Sequence, residues 1–213
     1  MVRRHARSPV APSAYVFPGG TVRDDDLAVA VSVDAAAALA QALSDRSDHP
    51  VDAARAAAFY VCAIRELFEE AGVLLVRDAR AQLFSVEEAD TPLQERVAST
   101  RLALQARELT IGGVLQEHGW QPAFDLLVPY SHWITPRALA ARFDTRFFVA
   151  MMPQGQSALH YTIETSEGVW LSPGRVLEGD YQPDEYPAQI VRPPKGSVTW
   201  MLDEPAASRL TSS

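Results

Sequence analysis

The chain is short of cysteine, of long apolar runs and of positive charge, and each shortage removes a class of protein. Cys62 is the single cysteine in 213 residues, so no intramolecular disulfide can form. That usage suits a reducing compartment, and the expected location is cytoplasmic. No apolar run approaches the ~18–20 residues of a membrane span. The start, Met1-Val-Arg-Arg-His-Ala-Arg7, is basic but has no apolar signal-peptide core. A formal net charge of -8 argues against a broad nucleic-acid footprint. Repeats and low-complexity tracts are missing too, apart from Ala-rich helical stretches. What remains is an ordinary globular composition, long enough for one sizeable domain or one domain with a large insertion.

The densest chemistry lies in Cys62-Ala-Ile-Arg-Glu-Leu-Phe-Glu-Glu-Ala-Gly-Val73. On a helix, Glu66, Glu69 and Glu70 fall at i, i+3 and i+4 and share one side. Tyr60, Ile64, Leu67 and Ala71 recur at helical spacing on another side and make a core-facing stripe. Gly72 suits a left-handed C-cap. Three carboxylates on one side repel one another. A divalent cation relieves that repulsion, and hard oxygen donors of this kind suit Mg²⁺ or Mn²⁺.

Arg65-Glu66-Leu67-Phe68-Glu69-Glu70-Ala71-Gly72-Val73 fits the second half of the Nudix box, R-E-U-x-E-E-x-G-U with U apolar, at every fixed position. Phe17-Pro-Gly-Gly20 resembles the start of that box. The chain therefore resembles the Nudix hydrolases. The common box places its Arg 14 positions after its Gly, whereas Arg65 follows Gly20 with about 31 residues of extra chain between the halves. This split is similar to the subgroup that includes a mammalian peroxisomal coenzyme A diphosphatase. Trp133-Ile-Thr-Pro136 and Arg142-Phe-Asp-Thr-Arg-Phe-Phe148 resemble the same subgroup outside the box.

The resemblance implies roles. The Gly19 carbonyl, Glu69 and Glu70 would bind the metal. Glu66 would bind it through water or act as base toward the attacking water. Arg65 would orient a box carboxylate. Glu164, or else Glu167, would supply a distal acid ahead of Trp170. Arg4 and Arg7 could meet phosphates. Two departures stand out. Where the box has a Glu eight positions before its Arg, this chain has Ala57. Either an acid among Asp24, Asp25 and Asp26 replaces it, or the subgroup dispenses with it; a solvated loop is the expectation for that Asp run. The further signature of coenzyme A-hydrolysing relatives is not met, since its places hold Pro9 and Ser13. His132 reads as a packed strand residue, Cys62 as packing, and Trp133, Phe143, Phe147 and Phe148 as mostly core.

The implied fold is an α/β/α sandwich with a mixed sheet, one domain over residues 1–213. An insertion at about 21–51, carrying a short helix over residues 34–43, should loop out and return. A helical subdomain is inserted at about 87–120, with helices from Pro92 to Arg107 and Ile111 to Glu117. Met1-Val2 reads as the last part of a strand; either a first strand is missing ahead of it, or this branch dispenses with one. A Trp170-Leu171 strand and a Val198–Leu202 strand are expected late in the chain. The implied activity is Mg²⁺- or Mn²⁺-dependent hydrolysis of a diphosphate bond in a nucleoside diphosphate linked to another moiety, with coenzyme A or an acyl-coenzyme A favoured. The alternative is a non-catalytic nucleotide-binding regulatory domain. The expected partner is a nucleotide-type small molecule, with no nucleic acid and no membrane; a homodimer is left open.

Overall fold

A computed structural model describes residues 1–7, 12–135, 137, 142–158, 165–171, 176 and 179–187. In chain order the strands are β1 (Val2–Arg4), β2 (Tyr15–Val16), β3 (Val76–Arg77), β4 (Gln121–Pro122), β5 (Val128–Ile134), β6 (Asp144–Val149) and β7 (Thr165–Gly168). The helices are α1 (Asp24–Leu27), α2 (Val33–Ser44), α3 (Ala53–Ala71), α4 (Thr91–Gln105) and α5 (Ile111–His118). The chain divides into two compact units, one spanning Gly19–Ala158 and the other made of Met1–Pro18 and Leu159–Ser213.

In the smaller unit β1 lies between β2 and β7, antiparallel to both. Tyr15 stacks on Tyr186 with ring centroids 5.4 Å apart. The late strand covers Thr165–Gly168 rather than Trp170-Leu171, and Trp170 is exposed. The expected Val198–Leu202 strand lies outside the described residues.

In the larger unit α2, α3, α4 and α5 begin where the sequence offers a capping oxygen. The side chains of Ser32, Asp52, Asp90 and Thr110 accept from the amides of Ala35, Arg55, Leu93 and Gly113. Gly72 and Gly119, at φ +73° and +65°, end α3 and α5 in the left-handed conformation that glycine adopts without strain. Helix α3 is buried along most of its circumference and organises two apolar clusters. Tyr60, Ile64 and Ala71 pack with Leu43, Val73, Leu75 and Leu127, and Leu67 lies part-buried against them. Val61 and Phe68 pack with Val97, Leu104, Ile111, Val114 and Trp120.

Those clusters bear on the reading of both insertions. The chain between the box halves does not loop out. It forms α1 and α2, and α2 buries Leu43 against α3. Burial of one such leucine stabilises by roughly 1.5–3 kcal/mol. The second insertion carries the two helices expected of it, and α4 and α5 supply about half of one cluster. Among the described residues every strand pairing is antiparallel, so the parallel pairing of a mixed sheet is not found. Trp133 and Phe143, expected in the core, are each 48% exposed. No helix among the described residues is long and apolar enough to cross a membrane.

Candidate metal and catalytic site

The polar residues that α3 buries are four: Arg65, Glu66, Glu69 and Glu70. Burying charge is costly unless it is paired, and two elements from the first insertion do the pairing. Asp26, in α1, is only 1% exposed. Its carboxylate takes Arg65 Nε at 2.7 Å on one oxygen and Arg65 Nη2 at 2.9 Å on the other. The second oxygen also accepts the Arg23 amide at 2.8 Å, which ties the start of α1 to the same point. Arg65 then donates through Nη1 to Glu66 at 2.6 Å and to Glu69 at 3.2 Å, and through Nη2 to the Thr21 carbonyl. Arg23 forks onto Glu69, Nη1 to Oε1 at 3.0 Å and Nη2 to Oε2 at 3.2 Å.

The glycine turn closes on this cluster. The Gly19 amide donates to Glu70 Oε2 at 3.0 Å. At Gly20 the approach is closer still, because a Cβ there would sit 2.2 Å from Glu66 Oε1. A side chain at position 20 would therefore push the Glu66 carboxylate from its place, by contact and not by backbone angle. Behind the glutamates, Arg101 of α4 satisfies the end of α3, with Nε donating to the carbonyls of Phe68 and Glu69 and Nη2 to that of Glu70. Gln105 donates to the Glu69 carbonyl as well. These bonds fix the last turn, where uncapped carbonyls would otherwise be buried.

Electrostatics follow from burial. Burial raises the Glu66 pKa, and the charge and hydrogen bond of Arg65 offset only part of that shift. Burial alone would lower the pKa of Arg65; its bond to Asp26 and the charges of Glu66 and Asp26 together outweigh this and raise it. Cys62, next to Gly20 and Arg65, has its thiol pushed up to about 12 by burial.

Of the residues singled out in the sequence, Gly19, Arg65, Glu66, Glu69 and Glu70 are brought together. Arg4 lies in β1 and Arg7 in the turn after it, both in the other unit. Glu164 is outside the described residues, and Glu167 is placed only by its backbone, opposite Arg3. The Asp run is not a solvated loop: it forms α1, and Asp26 is one of the least exposed charges described. Ala57 is buried and apolar. Arg23 and Arg101 escaped the sequence reading. His132 lies away from the glutamates, bonded to Ser47 and to Asp144 at 2.6 Å each. It lines a recess of about 320 Å³ with Arg46 and His49, beside the loop before α3, whereas the glutamates occupy the last turns of that helix.

The donor chemistry suits a hard divalent cation: buried carboxylates grouped around a glycine turn. In this conformation guanidinium groups and an amide engage those oxygens. Among the described residues no three acidic, His or Cys side chains stand around a common point.

Residues 34–190 match the model of the NUDT19 Nudix domain family. An acyl-coenzyme A diphosphatase NUDT19 of Xenopus laevis is 26% identical over 211 residues, covering 85% of this chain and 54% of that protein. The Gallus gallus protein of the same name is 27% identical, covering 83% and 54%. The chain thus spans about half the length of the curated relatives it matches. A crystal structure of a NUDIX hydrolase from Alicyclobacillus acidocaldarius aligns with a TM-score of 0.48 at 26% identity, over 78% of this chain and 65% of that one.

Proposed function

This chain belongs to the NUDT19 Nudix domain family, and we propose that it hydrolyses the diphosphate bond of coenzyme A or an acyl-coenzyme A with Mg²⁺ or Mn²⁺ as cofactor. The observation that carries this reading is the convergence of Glu66 and Glu70 on a glycine turn that lies far away in sequence, with Glu69 held beside Glu66 by Arg65. The names of the relatives support the substrate class. Glu66, Glu69, Glu70 and the Gly19 carbonyl would hold the cation, which when bound supplies charge neutralisation at phosphate and a more acidic water.

The remaining work belongs to the chain. Arg65 cannot leave its buried bond to Asp26, so it holds Glu66 and Glu69 in place as substrate arrives. Such rigid placement is what phosphoryl transfer asks of a protein. Glu66 accepts the proton of the attacking water at its carboxylate, and burial moves its pKa in the direction a general base needs. Glu164 as a second acid–base group rests on resemblance to the family, and Arg4 and Arg7 as phosphate contacts rest only on their place ahead of the glycine turn in the sequence. A panel of nucleoside diphosphate derivatives with Mg²⁺, products separated by chromatography, tests the proposal. Cleavage of coenzyme A derivatives that is lost in a folded Glu70→Gln variant supports it. Turnover retained by Glu70→Gln would mean the wrong carboxylates are named. The buried alanine at position 57 favours a second reading, a nucleotide-binding regulatory domain. That reading predicts nucleotide affinity without Mg²⁺ and no product.

A further inference from the structure

Arg23 engages both carboxylate oxygens of Glu69, and we propose that it is an exchangeable internal counter-ion. It clamps Glu69 when no divalent cation is bound, yields it on loading, and then presents its guanidinium to the diphosphate of the substrate. This rests on the metal-dependent reading of the same glutamates.

The two arginines of the cluster differ in what holds them. Arg65 is fully buried and keeps Asp26 and the Thr21 carbonyl whatever happens at Glu69. The Arg23 side chain is 20% exposed and, among the described residues, bonds only to box glutamates, forked on Glu69 and 4.0 Å from Glu66. Its backbone is pinned, because Asp26 accepts its amide at 2.8 Å. A long side chain on a fixed Cα can swing while its origin stays beside the site. Both oxygens of Glu69 are engaged by the Arg23 fork, so a cation that draws on the same carboxylate meets the positive charge of the guanidinium and competes with it. The apparent cation affinity is then the intrinsic affinity reduced by the fraction of molecules in which Glu69 is unclamped. Once released, the fork matches phosphate oxygens as well as it matched carboxylate, which an ammonium does not.

Titration of the metal-free chain with Mn²⁺, followed by electron paramagnetic resonance, reads the clamp without any turnover. Removing a charge-assisted bond of this kind should tighten Mn²⁺ binding about tenfold or more in Arg23→Ala. Arg23→Gln, which keeps most of the stem, carries the same test should Arg23→Ala fail to fold. In steady-state assays the same variants should need less Mg²⁺ for half-maximal rate yet show a raised KM for the diphosphate substrate. Arg23→Lys should recover KM only in part. A merely structural role would not move these two constants in opposite directions. Unchanged or weaker Mn²⁺ binding in Arg23→Ala and Arg23→Gln, with the wild type binding normally, overturns the clamp and leaves the metal reading intact. Absence of Mn²⁺ binding in the wild type and in both variants overturns the metal reading and the clamp with it.

Discussion

Replacing Asp26 with alanine should destabilise the chain far more than the same change at its neighbours. Asp24 is exposed and Asp25 half-buried, and the sequence does not distinguish the three. Asp26 accepts three hydrogen bonds, two from Arg65 and one from the Arg23 amide, and both ends of its ion pair with Arg65 have fully buried side chains. Breaking such a pair from one side costs about 3–5 kcal/mol, because the other charge stays buried. Arg65 keeps Glu66, Glu69 and the Thr21 carbonyl, so the lower end, about 3 kcal/mol, is the expectation. For a chain of this size that is a melting-temperature drop of roughly 6–12 °C. Asp26→Asn keeps an acceptor and loses the charge, and should fall between alanine and wild type. Asp24→Ala and Asp25→Ala should stay within about 0.5 kcal/mol of wild type. Urea unfolding of the four variants measures all of this. An Asp26→Ala midpoint indistinguishable from that of Asp25→Ala would refute the buried ion pair.

Gly20→Ala should cut hydrolysis severely, because its Cβ would displace the Glu66 carboxylate, while Gly19→Ala, with open space around its Cβ and its amide retained, should keep most activity. Equal losses in a rate assay would contradict the contact argument. The Glu66 pKa is raised in the folded state, so ionising Glu66 costs stability as pH rises through that value, and the penalty is absent where both states are protonated. Glu66→Gln should therefore gain stability relative to wild type as pH rises above the ordinary glutamate range in the presence of a chelator; a relative loss there in urea titrations would reverse the sign. Cys62, its thiol pushed up to about 12, should resist thiol reagents at pH 8 until the chain is unfolded. Rapid native-state labelling with an aromatic disulfide reagent would show that the thiol is not enclosed.

Helix α3 was legible in the sequence because its information is local. Tyr60 and Ile64 repeat at helical spacing, Asp52 caps the start and Gly72 the end. The carboxylates and the glycine turn were legible for the same reason, each being a short string. The pairing that makes their burial affordable was not. Asp26 and Arg65 are 39 residues apart, Arg23 and Glu69 46, and an ion pair over such a separation leaves no period in the chain. Arg101 did leave a trace: it sits between Val97 and Leu104 on the buried stripe of α4, and a charge there has to be satisfied by something. Within the first insertion the helix over residues 34–43 was legible in its alanine-rich composition, but its packing was not, because α2 carries little apolar contrast to show that Leu43 anchors it beside Tyr60 and Ile64. The exposure of Trp133 and Phe143 shows the reverse failure, since hydrophobic residues are not excluded from surfaces.

Hydrolysis in ¹⁸O-labelled water tests the central claim most directly. With an acyl-coenzyme A, Mg²⁺ and the purified chain, the account predicts two phosphate-containing products, one carrying a single ¹⁸O at its phosphate and the other none, by mass spectrometry. An intact diphosphate in every product, whether from thioester cleavage alone or from no reaction, would contradict it.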